Sequence, residues 1–157
     1  VESFQAAEQA LIGMDLKYTK QILASLLPIC LTVILHGVGI DQVHRFFKRF
    51  GRPVMRGPHQ FARTAVLVGV VLILLLSHFF GIAVWAFFYL ATDLLKDFSH
   101  AMLYSLNGYT TMGASNIYLP RGWQGFDNFE AMTGMLMFGW STAVLADIIN
   151  KLHNTED

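Results

Sequence analysis

Four long stretches of this chain contain no Asp, Glu, Lys or Arg: residues 21–40, 64–92, 98–120 and 131–146. No other feature limits the possible folds as strongly. A hydrocarbon core about 30 Å thick takes about 20 helical residues to cross. The first gap is 20 residues long and mostly apolar. The second is 29 residues long and carries apolar runs at 65–76 and 79–90. That exceeds one upright crossing, so it tilts or extends into the interface beyond Gly81. The third apolar gap, 131–146, is 16 residues long and reaches a full span if Asn128, Phe129, Ile148 and Ile149 join the same helix. The pattern predicts an all-α integral membrane protein with transmembrane helices at 21–43, 62–92 and 128–151.

Composition agrees with that reading. The chain has 157 residues, about one domain, with 54% apolar residues and only 14% charged ones, against about 25% charged in soluble domains. Mean hydropathy is +0.46. Such a composition excludes intrinsic disorder. Eleven basic residues balance eleven acidic ones, which excludes a strongly basic nucleic-acid binder. A single cysteine, Cys30, excludes a disulfide framework. No signal-peptide pattern is visible. The sequence opens at Val1 without an initiator Met, so a preceding segment is expected.

The stretch 98–120 differs from the others. Residues 98–109 are moderately apolar, whereas 110–120 are rich in Gly, Ser, Asn and Thr. Irregular polar backbone survives at membrane depth only when it is buried in protein or lines water. A re-entrant segment is therefore expected, a short helix going in and an irregular strand coming out. Asp97 is placed to cap that helix.

Orientation follows from the basic residues. Arg45, Lys48, Arg49, Arg52, Arg56 and Arg63 lie between the first two spans, with no acid between Asp41 and Asp93. The positive-inside bias puts this loop, residues 44–60, in the cytoplasm. The N-terminus is then outside, the C-terminus is cytoplasmic, and the re-entrant segment opens outward. The expected location is the cell inner membrane, as a multi-pass protein. The loop is broken by Pro53, Gly57 and Pro58, and its charge suits anionic lipid headgroups. Within residues 1–20, Ala6, Ala7, Ala10, Leu11 and Met14 form one face of an interfacial helix, or a plain lead-in to the first span.

The run Tyr109-Thr110-Thr111-Met112-Gly113-Ala114-Ser115-Asn116 carries the chemistry. With a span on either side, it resembles the pore domain of the tetrameric potassium-channel superfamily, and small bacterial two-span channels in particular. Thr110-Thr111-Met112-Gly113 matches the first half of that family's T-T-x-G-Y-G-D filter. Ile117-Tyr118-Leu119-Pro120, Trp123, Glu130-Ala131 and Met137-Phe138-Gly139-Trp140-Ser141-Thr142 continue the likeness, which covers about residues 61–154. The first span is additional to a two-span pore.

The resemblance implies outer helix, pore helix, filter and inner helix, and passive conduction of a monovalent cation, potassium or sodium. Carbonyls and threonine hydroxyls replace hydration water, and one chain has too few of them, so a homotetramer is expected. Ala114-Ser115-Asn116 stand where the family has Tyr-Gly-Asp, so the outer mouth is altered and selectivity weak. The resemblance assigns filter support to Tyr109 and Glu130. A non-conducting accessory subunit of a larger membrane complex is the alternative.

Other residues carry two readings each. Gly134 and Gly139 are gating hinges or close-contact points between helices. Ser141 and Thr142 face the pore cavity or bond back to their own helix. Asp147 forms an anionic ring in the inner pore or pairs with Lys151 at i+4. Glu130 braces the filter or faces water. Trp85, Tyr89, Tyr118 and Trp123 are expected as interfacial anchors. His36 and His78 lie within spans and are expected to bond partners on other helices or water. No metal-ligand spacing, nucleophile elbow, phosphate loop or thiol pair is present, so no enzyme activity, cofactor or resident metal is expected.

Overall fold

A computed structural model describes residues 2–55, 60–113 and 116–153. The chain forms helix α1 (Glu2–Phe46), a π-helical turn (Phe47–Gly51), a short α2 (Arg52–Met55), and helices α3 (Gln60–Ala91), α4 (Phe98–Tyr109) and α5 (Asp127–His153). The described residues contain no β-strand. Three helical segments are long and apolar enough to cross a membrane: Tyr18–Val54, Gln60–Ala91 and Asp127–Leu152. This is an all-helical chain with the build of a multi-pass membrane protein.

The first helix is longer than the expected span at both ends. Residues 2–20 hold no proline and one glycine, so nothing stops the helix at residue 20. The expected apolar face of Ala6, Ala7, Ala10, Leu11 and Met14 lies outside the described side chains.

α1 is built inside out. Its buried positions are Gln21, Ser25, Pro28, Thr32, His36, Gly39, Ile40 and Val43, spaced three or four residues apart except for the Gly39–Ile40 step. The first half of that stripe is polar. The opposite faces carry exposed Leu23, Leu26, Leu27, Leu31 and Ile34. In water this arrangement would be reversed. Beside lipid tails, apolar side chains lose nothing by facing out, and polar ones need partners inside. Small side chains bring the helices together along the stripe. A Cβ at Gly39 would fall 1.8 Å from Ser77 Oγ of α3, so only glycine fits there.

Two apolar clusters close the bundle at opposite ends. One joins Ile40, Val43 and Phe47 to Val66, Val70 and Leu74 of α3 and to Val144, Ile148 and Leu152 of α5. The other gathers Trp85, Ala86 and Tyr89 of α3, Tyr104 and Tyr109 of α4, and Phe126. α3 ends in a turn where Leu94 and Leu95 N–H groups both donate to the Tyr89 carbonyl and Asp93 takes φ 54°.

α4 then runs back along α3. Phe98 lies beside Phe87, Ser105 donates to the Ile82 carbonyl at 2.7 Å, and Tyr109 reaches His78. His78 is about 20 Å along the α3 axis from its Ala91 end. The chain returns from there through residues 116–126 to stack Phe126 on Phe88 at 5.5 Å. Gln21 of α1 ties down this return by donating to the Gly122 carbonyl at 2.7 Å.

α5 touches α4 backbone to backbone. A Cβ at Gly134 would lie 2.1 Å from the Tyr109 carbonyl oxygen, whereas Gly139 has nothing within 4 Å. Gly134→Ala is expected to cost about 1–3 kcal/mol by overpacking. Gly139→Ala is expected to be neutral or to stabilise by up to about 1 kcal/mol. Unfolding of the detergent-solubilised protein measures both; equal effects at the two sites would contradict the packing described.

Candidate functional site

The segment that follows α4 is set up at the helix's first turn. Asp97 has extended backbone and its carboxylate accepts from the His100 N–H at 2.9 Å, which satisfies one of the open donors of the helix start. The far end closes differently. Met112 N–H donates to the Asn107 carbonyl at 2.9 Å and Thr111 N–H to the Gly108 carbonyl at 3.0 Å. This is a Schellman-type end with Thr111 at the left-handed position, φ 61°. Glycine usually occupies that position. A β-branched residue there stores about 1–2 kcal/mol. Thr110 donates its hydroxyl to the Leu106 carbonyl at 2.7 Å, and Gly113 follows with φ 82°.

The expected filter residues are thus adjacent at the α4 end. Thr111, Met112 and Gly113 are exposed, as is Asn116; the Met112 side chain is 81% exposed. Ala114 and Ser115 lie outside the described residues, as do Arg56, Gly57, Pro58 and His59.

Tyr109 and Glu130, by contrast, are fully buried. Glu130 does not face water. Its carboxyl accepts from the Tyr89 hydroxyl at 2.7 Å and also bonds the Ser105 hydroxyl. Gly108 makes room for it: a Cβ there would lie 3.0 Å from Glu130 Oε2. One carboxyl therefore joins α3, α4 and α5 just above the Thr110-Thr111 turn.

A second polar group lies one step deeper. The Tyr109 hydroxyl meets His78 Nδ1 at 3.2 Å, His78 Nε2 meets Ser141 Oγ at 3.0 Å, and Ser141 Oγ meets His36 Nε2 at 3.1 Å. All four side chains are buried. The His78 ring stacks on Phe138 at 4.3 Å, with the His36 ring 4.9 Å away. Among the described residues, His36 Nδ1 and the Thr32 hydroxyl, one turn apart on α1, have no hydrogen-bond partner. The two span histidines thus meet partners on other helices.

Several placements differ from the expected ones. Trp85 and Tyr89 are not interfacial anchors: both are fully buried, Trp85 against Phe126 at 5.9 Å and Tyr89 against Tyr104 at 5.2 Å. The α3–α4 turn needs a large apolar filling, and these rings supply it. Tyr118 is exposed, and Trp123 is half-buried against Phe126. Ser141 and Thr142 part company: Ser141 faces the histidines, while exposed Thr142 donates back to the Phe138 carbonyl at 2.9 Å. Half-buried Asp147 pairs with exposed Lys151 at 2.5 Å. Gly134 is a contact point between helices, and Gly139 lies open. Among the described residues, no group of three or more His, Cys, Asp or Glu side chains is placed to hold a metal ion.

Ser105 is not singled out by the sequence, and Ser141 and Tyr89 stand there in other roles, as a cavity-facing or back-bonding residue and as an interfacial anchor. A visible signal for the inward face was the polar stripe Gln21, Ser25, Thr32 and His36, repeating at helical spacing inside an apolar span. The chain matches no family model, no curated protein and no solved structure.

Tyr89→Phe and Ser105→Ala are each expected to cost about 1–3 kcal/mol, because each deprives a buried carboxyl of a partner. Thr92→Val, at an exposed helix end, is expected to stay within about 0.5 kcal/mol. Denaturant titration in detergent measures all three. A Tyr89→Phe protein as stable as the parent would remove Glu130 from its joining role.

Proposed function

We propose that four copies of this chain form a passive pore for monovalent cations, with a short and weakly selective filter. One observation carries this reading. α4 brings the exposed residues Thr111, Met112 and Gly113, whose N–H groups bond back to α4, to the middle height of the long apolar helix α3. Open polar backbone at that depth needs either water or more protein around it. Four such ends around an axis provide both, and their carbonyls and the Thr110 and Thr111 hydroxyls offer a cation oxygen in place of water. In this reading α4 is a re-entrant pore helix. The partial negative charge at its C-terminal end points toward the ion. α5 lines the inner pore with Gly139, Thr142 and Asp147, and the Asp147–Lys151 pairing keeps that mouth nearly neutral. Tyr109 and Glu130 hold the filter from behind.

Ala114, Ser115 and Asn116 form the outer mouth in this reading. A small residue replaces a ring there and an amide replaces a carboxylate, so the outer half holds an ion loosely. The basic end of the bundle faces the cytoplasm and contacts anionic headgroups. Potassium and sodium are the expected permeant ions.

Two measurements on the purified protein test the proposal. Native mass in detergent should correspond to four identical chains, and liposomes containing the protein should pass potassium and sodium at comparable rates. Replacing Ala114-Ser115-Asn116 with Tyr-Gly-Asp should raise the potassium-to-sodium flux ratio about tenfold, or ~1.4 kcal/mol. A conducting variant with an unchanged ratio would exclude this segment as the filter. A non-conducting protein copurifying with foreign subunits would favour an accessory role.

A further inference from the structure

The buried chain His36, Ser141, His78, Tyr109 has a direction that follows from counting its protons. A neutral imidazole has one N–H and one lone pair, and a hydroxyl has one proton to give. In one arrangement Tyr109 donates to His78 Nδ1, His78 donates from Nε2 to Ser141, and Ser141 donates to His36 Nε2. The one group then left over is the His36 Nδ1–H, which has no partner among the described residues. In the reverse arrangement His36 donates to Ser141, Ser141 to His78 Nε2, and His78 Nδ1 to the phenol oxygen. Two groups are then left over: the His36 Nδ1 lone pair and the Tyr109 proton, whose hydroxyl has His78 as its hydrogen-bond partner among the described residues. Each unsatisfied buried group carries its full desolvation penalty, so the first arrangement is the stable one.

We infer that the protons run from Tyr109 through His78 and Ser141 to His36, and that His36 is thereby a positioning residue for the end of α4. The chain crosses α4 and then the three long helices in turn: α3, α5 and α1. Its terminal acceptor is on the first helix, the one additional to a two-span pore. Its first donor is Tyr109, bonded directly to Thr110. Gly81 keeps the passage narrow, since a Cβ there would meet Thr32 at 3.1 Å and the Tyr109 hydroxyl at 3.2 Å. Side chains this deep in an apolar bundle have no water to fall back on. Removing the acceptor on α1 therefore leaves Ser141 to reorient, then His78, then Tyr109. In functional terms this rests on the pore reading: the first helix tunes the filter of its own subunit through three hydrogen bonds.

Imidazole-15N-labelled protein in bilayers tests the direction, independently of any conduction. Solid-state NMR should find His36 protonated at Nδ1 and His78 at Nε2; the opposite pair of tautomers would overturn the assignment. Tyr109→Phe removes the asymmetry between the two arrangements and should give mixed tautomers at both rings. The positioning role is read from flux. His36→Leu should shift the potassium-to-sodium ratio about threefold, the order of one interhelical hydrogen bond in a membrane. His36→Gln, which restores an acceptor near the Nε2 position, should return it to the parent value. A His36→Leu protein that loses stability but keeps the parent ratio would show a merely structural role. A parent protein that passes no ions would end the pore reading and leave the tautomer measurement to decide the proton direction.

Discussion

A polar group surrounded by lipid has nowhere to turn but the protein itself. Everything distinctive in this bundle follows from that constraint. α1 presents leucines outward and hides Gln21, Ser25, Thr32 and His36. Two of these groups tie α1 to a particular place, Gln21 to the Gly122 carbonyl and His36 to Ser141, while Ser25 bonds back to the Ile22 carbonyl of its own helix. Apolar packing in lipid specifies little, because tails and leucines are chemically alike. The inward polar groups give the three long helices their rotation and register.

The same constraint explains how α4 is held. A 12-residue helix is marginal by itself. Three devices keep it in place. Asp97 starts it, Glu130 holds it from behind through Ser105, and Gly134 lets its last carbonyl rest against α5. None of these is a large hydrophobic contact. The aromatic cluster of Trp85, Tyr89, Tyr104 and Phe126 fills the space above and seals the region from that side.

The three long helices and the short fourth were legible in the sequence, because bilayer thickness acts directly on the spacing between charges and because Asp97 marks a helix start. Rotation about each axis was not. Hydropathy reports that residues 64–92 are apolar, not that Trp85 and Tyr89 look inward, and rings near a span's end are as often anchors as core. Gly134 and Gly139 are alike in sequence and opposite in setting, since only the neighbouring helix distinguishes them. Glu130 was ambiguous for the same reason: its partners, Tyr89 and Ser105, are 41 and 25 residues away. The left-handed Thr111 broke the local rule that glycine takes such positions. A departure of that kind is decided by surroundings rather than by propensity.

The π-helical turn at Phe47–Gly51 has its own consequence for how the chain can vary. Such a turn holds one residue more than ordinary pitch allows, and Gly51 permits it because a Cβ would press on the Phe47 ring at 2.4 Å. Deleting one residue here would let the coil relax to regular winding, and the residues downstream would keep their facing around the axis. Val54 would stay in the groove it shares with α3. The same deletion a few turns earlier, in regular α-helix, would rotate the rest of the rod by about 100°. A single codon lost in this short stretch would thus be absorbed where it falls, whereas one lost elsewhere in α1 would turn the connection onto another side.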